Sequence, residues 1–257
     1  MATVKIAFLG HSSFRFESEK GTVIYFDAWL DDNPTARMTV RQVRRADIVI
    51  ATHGHNDHVG DAFEICKRTG AKFVGNYEMC LTAEAHGLKM GTRSLAMNPG
   101  GTVKVKDVEI TMTQAHHSLS MSPNLVKGPP AEGEYFRPDS AVTGFVLSFG
   151  NGITIYDSAD TCLFSDMQLI GQMYNPQIAI FPVGGQYTMG VREAARAASF
   201  VRPDVVIPCH YGDIMGQPAD IAGLKQAVKF LSPNTQVAEL KPGQTLTYTA
   251  SKFRTTG

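Results

Sequence analysis

The chain has 257 residues, of which 43% are hydrophobic, so it can form one substantial domain with its own core or two small ones at most. Lysine plus arginine and aspartate plus glutamate count 24 each, the formal net charge is zero, and no long block of one sign occurs. This balance argues against a nucleic-acid backbone as the main partner, since neutralising phosphates requires clustered positive charge.

The first residues lack the charged segment and long apolar run of a signal peptide, and no stretch approaches the ~18–20 apolar residues of a membrane span. We therefore expect a soluble, cytoplasmic protein that has no membrane partner. The four cysteines occur singly, without a C-x-x-C pair, and are expected to be free thiols. The positions of the eight histidines are more informative.

The first half of the chain predicts a small sheet followed by alternating strands and helices. Runs of β-branched and aromatic residues punctuated by glycine indicate strands, and helical spacing closed by a glycine indicates helices. We expect strands at 4–10, 13–18, 21–28, 46–52 and 71–76, helices at 61–70 and 77–87, and a hairpin at 102–115. The run 46–52 is almost continuously apolar, which predicts a strand covered on both faces, and it ends directly before His53.

The second half repeats this order after a long loop. Residues 116–139 are rich in proline and show no clear period, which is typical of a functional loop. Beyond it we expect strands at 140–150, 151–158, 176–185, 204–210, 235–240 and 244–249, and helices at 163–172, 191–201 and 219–231. Two strand-rich halves with interleaved helices predict an α/β fold, a four-layer αββα sandwich in which residues 1–257 form a single domain.

Ligand-type side chains are concentrated in six positions after the apolar strand 46–52. Three histidines and one aspartate follow it directly: His53, His55, Asp57 and His58. Imidazoles two residues apart can converge on one cation, while the pair at the start of the next helix can point to a second site. The alternative, a polar surface turn, does not account for this density of ligands, so we predict a metal site.

The segment THGHNDH resembles the T-H-x-H-x-D-H signature of the metallo-β-lactamase superfamily. The resemblance implies three further ligands, each just after a later strand. His117 and His116 compete for the first, and we select His117 because related hydrolases carry the ligand directly before a serine. The segment ADT selects Asp160 over Asp157 as the second ligand, and His210 is the third.

The resemblance therefore implies two divalent metal ions per chain. It assigns His53, His55 and His117 to one ion and Asp57, His58 and His210 to the other, with Asp160 between them. Nitrogen and oxygen ligands suit Zn²⁺, Mn²⁺ and Fe²⁺ alike, and we take Zn²⁺ as the default. Two such ions can hold a bridging hydroxide near neutral pH and polarise the bond under attack. Asp57 is implied to transfer protons as well.

Within the superfamily, the chain looks most like small cytoplasmic metal-dependent hydrolases related to ascorbate-6-phosphate lactonase. The segments Gly10-His11-Ser12 and 183–190 carry this resemblance. It implies a small-molecule substrate, an ester or lactone, with a phosphodiester or a non-catalytic metal-binding protein as alternatives. Relatives commonly self-associate, which leaves a homo-oligomer open.

The same resemblance suggests residues around the metals that contact the substrate. His11 is expected to line the pocket or to move a proton, in preference to a structural hydrogen-bonding role. His116, Arg137 and Tyr187 are weaker candidates for substrate contact, and Arg137 would pair with an anionic group. His86 is interpreted as a favourable charge at the end of a helix.

Overall fold

The computed structural model describes residues 1–119, 141–212 and 217–250, which form two mixed seven-stranded sheets. In spatial order, the first sheet contains β14 (Thr245–Thr249), β1 (Thr3–Gly10), β2 (Ser13–Ser18), β3 (Val23–Phe26), β4 (Ile48–Ile50), β5 (Lys72–Asn76) and β6 (Ser94–Met97). The second contains β13 (Gln236–Val237), β12 (Val205–Cys209), β11 (Ile178–Pro182), β10 (Thr154–Asp157), β9 (Thr143–Phe149), β8 (Val108–Gln114) and β7 (Thr102–Val105).

The two sheets share one pattern of strand directions. In the first, the pairings from β14 to β3 are antiparallel and those from β3 to β6 are parallel. In the second, the pairings from β7 to β10 are antiparallel and those from β10 to β13 are parallel. As its apolar sequence predicts, every residue of β4 is buried.

Helices cover the outer faces of both sheets. They are α1 (Asn56–Val59), α2 (Ala62–Thr69), α3 (Tyr77–Ala85), α4 (Met167–Tyr174), α5 (Val191–Val201) and α6 (Ile221–Leu231). One apolar core joins the first sheet to α2 and α3, and another joins the second sheet to the last three helices. None of the helices in the described part of the chain is long and apolar enough to span a membrane.

A third apolar core fills the space between the sheets. It draws alternate residues from strands of both sheets, because successive side chains of a strand point to opposite faces. Phe26 and Phe145 meet across it, with ring centroids 5.8 Å apart. Helix, sheet, sheet and helix thus form four layers, and the predicted αββα architecture is confirmed.

The structure differs from the sequence prediction mainly at strands whose existence or length depends on pairing with a neighbouring strand. β6 was not predicted, because its four residues lie among glycine and polar residues; it exists by pairing in parallel with β5. The predicted strand 235–240 shrinks to the two residues of β13, where the ladder with β12 ends. The predicted hairpin at 102–115 is confirmed as β7 and β8.

Candidate metal centre

The predicted ligands converge at one edge of the sandwich. Each follows the carboxyl end of a strand, and the strands concerned run in the same direction within their sheet. In chain order the predicted ligands are His53 to His58 after β4, His117 after β8, Asp160 after β10 and His210 after β12. Two residues that were not predicted as ligands lie at the same edge, His11 after β1 and Asp27 after β3. Both sheets therefore contribute to a single cluster, as expected from the sequence.

Three imidazoles form the first group of the cluster. The Nε2 atom of His53 lies 2.9 Å from Nδ1 of His55. One ligand nitrogen from each of these residues and one from His117 all lie within 4.8 Å of one another. His53 is fully buried, whereas His55 and His117 are only partly covered. This group can hold one divalent cation, and its partly exposed side is formed by His55 and His117.

The second group surrounds Asp160, which also reaches the first. Oδ2 of Asp160 lies 3.1 Å from Nε2 of His58 and 3.0 Å from Nε2 of His210. The same oxygen is 3.7 Å from Nε2 of His117, which belongs to the first group. Asp57 places its Oδ2 at 3.7 Å from His58 and 3.6 Å from His210. The carboxylate of Asp160 thus lies between the two groups.

The structure distinguishes the two adjacent histidines after β8. His117 turns into the cluster, with its ring centroid 5.6 Å from that of His53 and 5.2 Å from that of His55. His116 is exposed, and its ring packs edge-on against Phe164 at 5.0 Å. The arrangement places His117, and not His116, among the candidate ligands.

Asp27 is part of the site, and the sequence analysis missed it. Its Oδ2 accepts a hydrogen bond from Nδ1 of His58 at 2.7 Å and another from Oγ1 of Thr52 at 2.8 Å. Oγ1 of Thr52 is in turn 2.9 Å from Nδ1 of His53. A carboxylate can only accept, so it holds the proton of His58 on Nδ1 and leaves the Nε2 lone pair for a cation. An acidic residue at the end of the predicted strand 21–28 was the available signal.

Strained backbone is concentrated at the same edge. Four residues other than glycine have left-handed φ angles here: His11 at 57°, Asp27 at 45°, Ala159 at 57° and His210 at 52°. Such conformations cost of order 1–3 kcal/mol each and persist where the surrounding contacts impose them. Ala159 occupies the position where the superfamily pattern has glycine, a residue that adopts this φ without strain.

The electrostatics of the cluster favour a bound cation. Burial lowers the pKa of His53 well below its usual value, and the imidazole of His58 lowers it further, so His53 stays neutral and can ligate. Burial acts to raise the pKa of Asp160, but His58 and His210 outweigh it and hold that pKa well below its usual range. Burial lowers the pKa of His210, but Asp160 overcomes this and raises it to about 9. The buried carboxylates therefore require positive charge around them.

The donor set fits divalent metal ions. Nε2 of His58 is fully buried and, within the described residues, has no partner in hydrogen-bond geometry although two carboxylates lie close to it. Burial acts to lower the pKa of His58, but Asp160, Asp27 and Asp57 outweigh it and raise that pKa well above its usual value. Without a metal ion, Nε2 therefore carries a proton, and a bound cation would take the place of that proton between the carboxylates. Histidine nitrogens and carboxylate oxygens are suitable ligands for Zn²⁺, Mn²⁺ and Fe²⁺.

The structure says less about the residues that were predicted to contact the substrate than about the predicted ligands. The side chain of His11 is 1% exposed and Nε2 of this residue lies 3.0 Å from Oδ2 of Asp57, so it is part of the metal cluster rather than of an open surface. Tyr187 is 47% exposed, in the segment between β11 and α5. Arg137 lies outside the described residues. The substrate roles of these residues and of His116 stay predictions.

Comparison with known proteins agrees with the geometry. A model of the beta-lactamase superfamily domain matches residues 5–210. A UPF0173 metal-dependent hydrolase of Koribacter versatilis is 38% identical over 246 residues, which cover 94% of this chain and 97% of that protein. One from Methanopyrus kandleri is 39% identical over 241 residues, which cover 94% of this chain and 98% of the relative.

A solved structure extends the agreement to the fold. Igni18, a metallo hydrolase from the hyperthermophilic archaeon Ignicoccus hospitalis, aligns with a TM-score of 0.81 at 33% identity, covering 97% of this chain and 100% of its own. Sequence, fold and the His/Asp cluster at the strand ends thus point to one family. The chain belongs to the metal-dependent hydrolases of the UPF0173 family, within the beta-lactamase superfamily.

Proposed function

We propose that this chain is a binuclear metal-dependent hydrolase that cleaves a small ester or lactone. The observation that carries the proposal is the position of Asp160, whose Oδ2 lies within 3.7 Å of imidazole nitrogens from both groups. In two-metal hydrolytic sites the ions are about 3.5–4 Å apart, a spacing that a shared carboxylate can maintain. The ligands proposed are His53, His55 and His117 for one ion, Asp57, His58 and His210 for the other, and Asp160 for both.

Two bound cations would supply an activated water and polarise the bond to be cleaved. The protein's own part is to orient the ligands and to handle protons. Among the carboxylates of the cluster, Asp57 is the one that reaches solvent, with 19% of its side chain exposed against 3% for Asp160 and 1% for Asp27. We assign to Asp57 the transfer of a proton from the attacking water to the leaving group.

The pKa of Asp57 suits a residue that stays a carboxylate. Burial acts to raise this pKa, but the neighbouring His58 and His11 hold it far below its usual range. Asp57 is therefore held as a carboxylate, which can accept a proton only transiently. We expect Asp57→Asn to retain the fold and to lose activity, because an amide can neither accept that proton nor bind a cation as well.

The choice of an ester or lactone rests on three features. The segments Gly10-His11-Ser12 and 183–190 resemble those of small lactonases, and the zero net charge gives no basic surface for a polymeric phosphate backbone. The partly exposed side of the cluster is formed by His55, His117 and Asp57, and a substrate small enough to reach this side would contact both groups of ligands.

The test is a substrate panel assayed with protein reconstituted with Zn²⁺ or Mn²⁺. We expect turnover of lactones or esters, and loss of that turnover in a folded Asp57→Asn. Turnover confined to phosphodiesters would replace the substrate proposal and retain the metal centre. A metal content that stays at or below about one ion per chain after reconstitution, measured by inductively coupled plasma mass spectrometry, would overturn the binuclear site itself.

A further inference from the structure

His11 occupies a special position at the end of β1. Gly10 and His11 both have positive φ angles, 124° and 57°, and the β1–β2 ladder shifts register just before them. The backbone oxygen of His11 accepts a hydrogen bond from the N–H of His210 at 3.0 Å. This bond ties the first sheet to the second, and it fixes His11 and His210 against each other with ring centroids 4.1 Å apart.

The imidazole of His11 shares with that of His210 its burial, an Nδ1 atom without a partner and its approach to Asp57. Both side chains are almost completely buried, and neither Nδ1 atom has a partner within the described residues. Both direct Nε2 at Oδ2 of Asp57, at 3.0 Å for His11 and 3.6 Å for His210. The argument that assigns His210 to a metal ion therefore applies to His11.

The spacing of these atoms also fits coordination. With Asp160 counted, five donors surround this ion, and neighbouring donors about 2.0–2.1 Å from one five-coordinate zinc ion lie roughly 2.9–3.6 Å from one another. Around Oδ2 of Asp57, the nitrogens of His11, His210 and His58 lie at 3.0, 3.6 and 3.7 Å, close to that range. All four donor atoms lie within 4.8 Å of one another.

We propose that His11 is an additional metal ligand, which binds through Nε2 to the same ion as Asp57, His58 and His210. The inference rests on the binuclear centre proposed above but not on the reaction. With His11 as a ligand, the two metal positions differ in the burial of the imidazoles around them. The second ion has three buried imidazoles around it, whereas the first ion lies beside the partly exposed His55 and His117. Water and substrate would then reach the centre from the side formed by these two histidines and the partly exposed Asp57.

The competing role for His11 is that of a hydrogen-bond donor to a metal-bound Asp57. The two roles differ in which form of the Nε2 atom is needed: a ligand offers a lone pair, whereas a donor offers a proton. His11→Gln separates them, because the glutamine amide retains an N–H donor of similar reach but supplies no imidazole nitrogen. His86→Gln is the matched control, since His86 ends α3 and packs on Phe63 at 5.0 Å, away from the cluster.

The first measurement is metal affinity. It is determined by competition with a chelator for Zn²⁺ and by the absorption spectrum of the Co²⁺-loaded protein. We expect wild type and His86→Gln to bind two ions, and His11→Gln to bind the ion at the second position at least about 100-fold more weakly, above the range typical of losing an outer hydrogen bond. Wild-type affinity and an unchanged Co²⁺ spectrum in a folded His11→Gln would overturn the proposal.

The second measurement needs no folded variant of His11. In wild-type protein labelled with ¹⁵N and loaded with ¹¹³Cd²⁺, a ligating imidazole shows a one-bond coupling between its nitrogen and the metal. We expect this coupling at one ring nitrogen of each of six histidines, and at Nε2 in His11. Coupling at five, with His11 Nε2 carrying a proton, would refute the assignment, whereas failure of wild type to bind a second ion would refute the binuclear centre instead.

Discussion

The carboxylate of Asp27 is expected to control metal affinity without touching a metal ion. It accepts three hydrogen bonds, from Nδ1 of His58 at 2.7 Å and from Oγ1 and the backbone N–H of Thr52, each at 2.8 Å. Asp27→Asn keeps the shape but replaces one acceptor oxygen with an NH₂ group. If that group faces His58, the imidazole must move its proton from Nδ1 to Nε2, the atom assigned to the metal.

The effect reaches the other ion through Thr52. In wild type the Thr52 hydroxyl donates to Oδ2 of Asp27 and lies beside Nδ1 of His53. An NH₂ group in place of Oδ2 would donate to this hydroxyl, so the hydroxyl would direct its own proton to Nδ1 of His53 instead. His53 must then carry its proton on Nε2, which faces His55. We therefore expect both positions to lose affinity by about 10–100-fold, which equals about 1.4–2.7 kcal/mol of binding free energy per ion.

The assay is competition of the protein with a chromophoric chelator for Zn²⁺, together with thermal unfolding of the metal-free protein. The metal-free variant is expected to lose about 1–3 kcal/mol for the mismatched buried group. Asp61→Asn is the matched control, because Asp61 also accepts two backbone N–H bonds, from Leu30 and Asp31, but contacts no proposed ligand among the described residues. It should lose stability and keep its metal affinity.

Equal Zn²⁺ affinity in a folded Asp27→Asn and in wild type would show that the histidine tautomers do not depend on Asp27. The same loss of affinity in Asp61→Asn would show that the metal centre responds to general destabilisation. Either result refutes the reasoning.

Three further predictions concern the same edge of the molecule and the thiols. His117→Ala should lose metal and activity while His116→Ala loses far less, as measured by metal content and turnover; the reverse order would assign the ligand to His116. The metal-free protein should be fully stabilised by His210 below about pH 6.5 and should lose that contribution as the pH rises through about 9, since Asp160 raises the pKa of the folded form. Melting curves from pH 6 to 10 test this, and the loss should disappear in His210→Ala; an equal slope in that variant contradicts the assignment. Cys162 is exposed, whereas burial raises the pKa of Cys209 well above its usual value, so a thiol reagent should modify Cys162 first in the native protein, with mass spectrometry to locate it; early modification of Cys209 would contradict the burial.

Much of the fold followed from local patterns. Strands buried on both faces, such as β4, have continuous apolar sequences, and helices with one apolar face have helical spacing and a glycine at the end, as α2 has at Gly70. β6 has no such local signal, because its identity as a strand depends on its neighbour β5. A four-residue strand at the edge of a sheet is specified by pairing, and pairing is not visible in a single sequence.

The sequence by itself determined the kinds of ligand and the strand ends that carry them. A histidine or aspartate placed directly after an apolar strand must emerge at the sheet edge, and parallel strands bring such residues to the same edge. Only the tertiary structure decided which side chains meet. Asp27 meets His58, His11 lies beside His210, and His117, not His116, turns towards His53. These contacts join residues far apart in the chain, and they depend on how the two sheets are held together across the central core, which local periodicity does not encode.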